Sequence, residues 1–125
     1  MPVPAGLHDA TVVGRMHAFY LHGFASSPRS GKATFYRERL AARGLALECP
    51  DLNLPEFRTL TVSRMIDQLD QAIERRPPGP VILIGSSLGG FAALHAAAAR
   101  NSRPGNPRPV SRLILLAPAL AFASD

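Results

Sequence analysis

Val81-Ile82-Leu83-Ile84-Gly85-Ser86-Ser87-Leu88-Gly89-Gly90 is the stretch whose reading decides the fold. Its first four residues form a continuous apolar run rich in β-branched side chains, the pattern of a central strand covered on both faces. Positions 85–89 then satisfy Gly-x-Ser-x-Gly, and small residues continue the chain as a helix. A serine at a tight strand-to-helix turn takes an unfavourable backbone conformation that projects its hydroxyl from the sheet. Residues two before and two after it crowd together, and Gly85 and Gly89 remove that clash. Gly90, Ala92 and Ala93 let the helix lie close to the sheet and aim its N-terminal dipole at the turn. Ser87 is therefore read as the serine of a nucleophile elbow. A plain βα turn and a phosphate-binding glycine loop remain open as alternatives.

Outward from this stretch, strands and helices alternate. Ala18–Leu21 reads as a short buried strand. A helix is expected from about Gly31 to Arg43, with Ala33, Tyr36 and Leu40 on one face and Gly44 as its C′ residue. Leu45–Cys49 reads as a strand stopped by Pro50, and Asp51–Leu60 as a loop. From Thr61 to Arg76 the residues Val62, Met65, Ile66, Leu69 and Ile73 mark an amphipathic helix, ended by Pro77-Pro78-Gly79-Pro80. Leu88–Arg100 is a small-residue helix, Asn101–Pro109 a loop, and Arg112–Leu116 a fourth strand. The β-α-β-α-β-α-β order implies an α/β domain with a parallel sheet, right-handed crossovers and helices on both faces. It occupies residues 16–125. Residues 1–15 read as a loose leader, with Met16 as an alternative start.

A serine nucleophile needs two backbone N–H groups for its oxyanion, one following the serine and one from the loop after the first strand. Leu88 supplies the first. His22-Gly23-Phe24 follows the first strand, and the Phe24 N–H is the natural second donor. An ordinary turn is the alternative reading of that tripeptide.

Tyr20-Leu21-His22-Gly23-Phe24 with Ser26-Ser27-Pro28 and Lys32-Ala33, followed by Ile84-Gly85-Ser86-Ser87-Leu88-Gly89-Gly90-Phe91, resembles the small bacterial YqiA/YcfP-type esterases of the α/β-hydrolase superfamily. The resemblance covers roughly Met16 to Pro118. It implies an α/β-hydrolase fold, a three-layer sandwich with a mostly parallel sheet. It also implies hydrolysis of carboxylic esters or thioesters by a Ser-Asp-His triad, without a cofactor. Ser87 would be the nucleophile, and the Phe24 and Leu88 amides the oxyanion donors.

The rest of the triad does not follow. The fold's order is Ser, then Asp or Glu, then His. After Ser87 the sequence holds His95 and, as its last residue, Asp125. His95 lies eight residues further along one helix, roughly 12 Å up its axis, beyond hydrogen-bond reach. His22 is a possible substitute base, though its place is in the oxyanion loop; His8 and His17 have no supporting pattern. The chain thus reads as truncated on its C-terminal side, poorly active, and prone to self-association through an apolar edge at Leu113–Leu116. A catalytically incomplete binding or interaction module is the competing reading.

Composition bounds the remaining classes. The 125 residues carry a net charge of +5, but the charge is arginine spread along the chain, with Lys32 the one lysine. No recognition module or basic–aromatic interleaving accompanies it, so nucleic acid is not an expected partner. Apolar runs fall short of the ~20 residues of a membrane span. The start has no signal-peptide pattern and Cys49 is the single cysteine, which together suggest a cytoplasmic protein with Cys49 as a small buried hydrophobe. Four histidines and one cysteine show no metal-ligand spacing. A Walker A loop fails at two positions, Ser26 and Ala33, which leaves Lys32 as a first-turn surface residue. Phe24 and Phe91 are candidates to line an acyl pocket, with core packing the alternative for Phe91.

Overall fold

A computed structural model describes residues 16–23, 29, 31–52 and 62–116. The leader expected over 1–15, Phe24, most of the loop expected from Asp51 to Leu60, and Asp125 lie outside the described residues. The elements are β1 (His17–Leu21), α1 (Gly31–Ala41), β2 (Leu47–Glu48), α2 (Val62–Glu74), β3 (Val81–Ser86), α3 (Leu88–Asn101) and β4 (Val110–Leu116). The strands form one sheet in the order β2-β1-β3-β4, and each neighbouring pair is parallel.

Period-two geometry explains why the apolar runs of β1 and β3 are continuous. Phe19, Leu21, Val81 and Leu83 face one core, shared with α2 and α3. Ala18, Tyr20, Ile82 and Ile84 face the other, against Ala33, Tyr36 and Leu40 of α1. Helices thus cover both sides of the sheet, giving three layers. On α2, Val62, Met65, Leu69, Ala72 and Ile73 are buried, which is the face the periodicity marked. On α3, Ala92, Ala93, Ala96 and Ala97 are buried, and their small side chains bring the helix close to the strands.

The ends of α1 and β2 differ from the sequence expectation for one reason. Gly44, at φ 80°, is the C′ residue of α1. The Leu45 N–H donates to the Leu40 carbonyl (2.9 Å) and the Gly44 N–H to that of Ala41 (3.0 Å). This double closure is the Schellman motif, with Leu40 and Leu45 in the same core cluster. Leu45 is therefore spent on ending the helix, and β2 shrinks from the expected 45–49 to Leu47–Glu48. In contrast, β4 begins earlier than expected, at Val110. Val81 pairs with Val110 and Ile82 with Arg112, so Ser111 is the extra residue of a bulge. Reading apolar side chains misses such pairing, because the ladder uses only backbone groups.

A charged clamp joins α2 to α3 behind the sheet. Arg100 is 1% exposed, and its guanidinium donates to Asp70 at 2.7 Å and Glu74 at 2.6 Å. Cys49 is half-buried rather than buried, with an Arg37 N–H 3.2 Å from its sulfur. Burial pushes the Cys49 thiol above its ordinary pKa, more strongly than the Arg37 charge lowers it.

Candidate active site

All strands run the same way, so the C-terminal ends of β1 and β3 and the N-terminal ends of α1 and α3 meet at one edge of the sheet. Open α/β sheets bind ligands outside this edge. Ser87 stands there, between the last residue of β3 and the first of α3, and is exposed while its neighbours Ser86 and Leu88 are buried.

The backbone of Ser87 is strained. Its φ is 54° and its ψ −123°, in the left-handed half of the map and outside the αL well. It is the non-glycine residue with positive φ among those described. Such a conformation costs of order 1–3 kcal/mol. Ser87 is also the N-cap of α3, a position where serine ordinarily bonds back to the helix. Here its side chain makes no cap hydrogen bond, forgoing about 1 kcal/mol. A simple βα turn has no physical reason to keep a serine that is both strained and unused as a cap.

The surroundings hold the turn in place. The Ser87 N–H donates to the Leu116 carbonyl of β4 at 3.2 Å, and the Ser87 carbonyl accepts from Gly90 (3.0 Å) and Phe91 (3.2 Å). With its own amide taken by β4, Ser87 contributes no N–H to a phosphate cradle. Leu88 is the first residue of α3, where a helix supplies no internal acceptor for the amide.

Three glycines provide the clearance. A Cβ on Gly85 would stand 2.6 Å from the Gly89 carbonyl oxygen and 2.6 Å from the Gly90 Cα. This is the crowding across the serine that the motif predicts. A Cβ on Gly89 would instead strike the carbonyls of Leu21 and His22, at the end of β1. Gly89 is thus required by the approach of α3 to a different strand. A Cβ on Gly23 would stand 3.2 Å from the Ser87 Cβ. Gly23 therefore leaves room for the serine, beyond any freedom it lends the loop.

His22 is 1% exposed and already committed. Its Nε2 accepts from the Leu52 N–H at 2.8 Å. The proton then belongs on Nδ1, which donates to the Gly23 carbonyl at 2.9 Å. The Asp51 carboxylate lies 3.7 Å from Nε2. A histidine with both nitrogens bonded holds two loops together and has no lone pair left for Ser87. His95 is exposed on α3, its ring 4.4 Å from that of Phe91. His17 is at the opposite end of β1, where Nε2 is 2.9 Å from the Pro77 carbonyl. The structure thus brings Ser87, Leu88, Gly85, Gly89 and Gly23 together, and leaves the described histidines away from the serine hydroxyl or engaged elsewhere.

Lys32 lies in the first turn of α1 and at the surface, as expected, but the sequence reading missed its contact with the end of β3. Its Nζ donates to the Ser86 Oγ at 3.3 Å. The signal was topological: in a parallel sheet, the first turn of a crossover helix lies at the same edge as the strand ends. Among the described residues no group of three His, Cys, Asp or Glu is placed to hold a metal ion, and no helix is long and apolar enough to cross a membrane.

The model of a family described as Uncharacterised protein family (UPF0227) matches residues 17–125. The chain is 38% identical over 82 residues to Lipase LipV of Mycobacterium tuberculosis, a match covering 62% of this chain and 29% of LipV. A solved structure described as a hydrolase, from Agrobacterium vitis S4, superposes with a TM-score of 0.75 at 30% identity, over 86% of this chain and 43% of that one. Alpha/beta hydrolase domain-containing protein 10 from mouse gives a TM-score of 0.60 at 30% identity, over 72% of this chain and 37% of its own. The chain spans less than half the length of each of these relatives.

Proposed function

The chain belongs to the UPF0227 family and has the α/β-hydrolase fold, and from that premise we propose that it is a serine hydrolase acting on carboxylic esters or thioesters through Ser87. The observation that carries this reading is the Ser87 backbone, strained at φ 54° with its hydroxyl released from capping α3. The relative named as a lipase and the relatives named as hydrolases support the reaction class.

In this reading the Ser87 Oγ attacks the acyl carbon while its proton passes to a base. The carbonyl oxygen takes up negative charge and is met by backbone donors. The Leu88 amide, first in α3, points to one such donor; Phe24 is assigned the other by its place after β1 and Gly23. The alkoxide or thiolate departs with a proton, and water then releases the acid from the acyl-serine. His22 is not the base, because both its nitrogens are engaged. No described residue takes that role or that of the triad acid.

That observation also favours a second reading, a binding or interaction module that keeps the elbow without turning over. Labelling of the intact protein with a fluorophosphonate separates the two. A hydrolase incorporates the probe at Ser87, located by peptide mapping, and Ser87→Ala abolishes incorporation. Absence of labelling at Ser87 in folded protein would sink the hydrolase reading in favour of the module.

A further inference from the structure

We propose that Lys32 is a specificity-determining residue that receives an anionic group, a carboxylate or phosphate, carried by the acyl substrate; this rests on the hydrolase reading above. Four observations converge on it. The Lys32 ammonium is exposed, yet it is anchored at the elbow by a 3.3 Å bond to the Ser86 hydroxyl, which is itself 6% exposed. An ammonium has three N–H donors, and this bond uses one of them. Among the described residues no carboxylate pairs with Lys32, whereas other described cations of this chain do find acids: Arg76 meets Glu48, and Arg100 meets Asp70 and Glu74. Asp51, the described carboxylate following β2 at this edge, lies beside His22 instead.

The position is suited to substrate. Ser86 directly precedes Ser87, so chain geometry keeps the ammonium no more than ~10 Å from the Ser87 backbone. A substrate arm of a few bonds spans that distance. A substrate anion paired with the ammonium would then lie well inside the ~8 Å Debye length of physiological salt. A lysine is a point charge on a flexible stem, so it accepts either oxyanion without demanding a bidentate geometry. An ammonium needed only to tie α1 to the elbow would gain little from lying open to solvent with donors to spare.

The test compares the rate of Ser87 labelling by two fluorophosphonates of equal chain length, one neutral and one ending in a carboxylate, in the intact protein. Wild type should favour the anionic probe, and Lys32→Met should lower the anionic-to-neutral ratio by roughly two- to fivefold, the scale of an exposed charge pair. Lys32→Arg should restore most of the ratio, and 0.5 M salt should shrink it in wild type but not in Lys32→Met. A ratio identical in wild type and Lys32→Met overturns the inference. So does an equal slowing of both probes, which would mark Lys32 as a structural tie alone. Ser87 labelling by neither probe would overturn the hydrolase reading, and this inference with it.

Discussion

The Ser87 Cβ lies 3.2 Å from the point at which a Cβ on Gly23 would stand, so the loop after β1 and the turn after β3 are fitted against each other with almost no slack. The contact joins residues 64 apart in sequence, each at the end of its own strand. Ser87 has little freedom to yield, because its backbone is strained and its N–H is bonded to Leu116. We expect Gly23→Ala to slow fluorophosphonate labelling of Ser87 by about 10- to 100-fold, the effect of a small misplacement of reacting groups. Far-UV circular dichroism should stay that of the wild type. Labelling at the wild-type rate would mean that the turn is looser than its geometry indicates.

Gly89 should respond differently, in stability rather than reactivity. A Cβ there meets the Leu21 and His22 carbonyls, which belong to backbone that cannot rotate aside. Gly89→Ala should destabilise the fold by about 3 kcal/mol, at the upper end of overpacking costs. Gly31→Ala is the control, since nothing lies within 4 Å of its added Cβ in α1. It should be neutral or stabilising by up to about 1 kcal/mol. Urea midpoints of the two variants measure the difference, and equal midpoints would refute the close approach of α3 to β1.

The Arg100 clamp predicts an acid-sensitive contribution to stability. The hydrogen bond from Arg100 is the main cause holding the Glu74 carboxyl below its ordinary pKa of 4.5. A carboxylate depressed in the folded state stabilises fully above its unfolded value and loses that contribution as pH falls through the folded one. Glu74 is 54% exposed, so solvent screens the pair and the effect is modest. Wild-type stability should therefore begin to fall below about pH 5 with a slope that Glu74→Gln reduces. At neutral pH, Asp70→Asn with Glu74→Gln should cost about 3–5 kcal/mol, because it strands a buried guanidinium. Arg100→Met should cost less, since the carboxylates it releases can turn to water. The reverse order in thermal or urea unfolding would contradict the burial of Arg100.

Much of the architecture was legible in the sequence because it depends on periodicity. The apolar faces of α1 and α2, the run of β3 and the C′ role of Gly44 each follow from a local rule about side-chain spacing or backbone freedom. Boundaries were less legible where the backbone decided them. Leu45 is apolar in either role, and only the Schellman closure made it the end of α1 rather than the start of β2. Ser111 looks like loop, but its backbone sits in the β4 bulge.

For the site, the sequence by itself determined that Ser87 stands in a strand-to-helix turn flanked by glycines, and which amides follow β1 and β3. Those are facts of spacing along one segment. Only the tertiary structure decided that Gly89 clears β1, that Gly23 clears Ser87, that His22 has both nitrogens occupied, and that Lys32 reaches Ser86. Each of these depends on two segments distant in the chain arriving at the same edge of a parallel sheet. That arrival is set by strand order, register and layer spacing, none of which is written in any single stretch of residues.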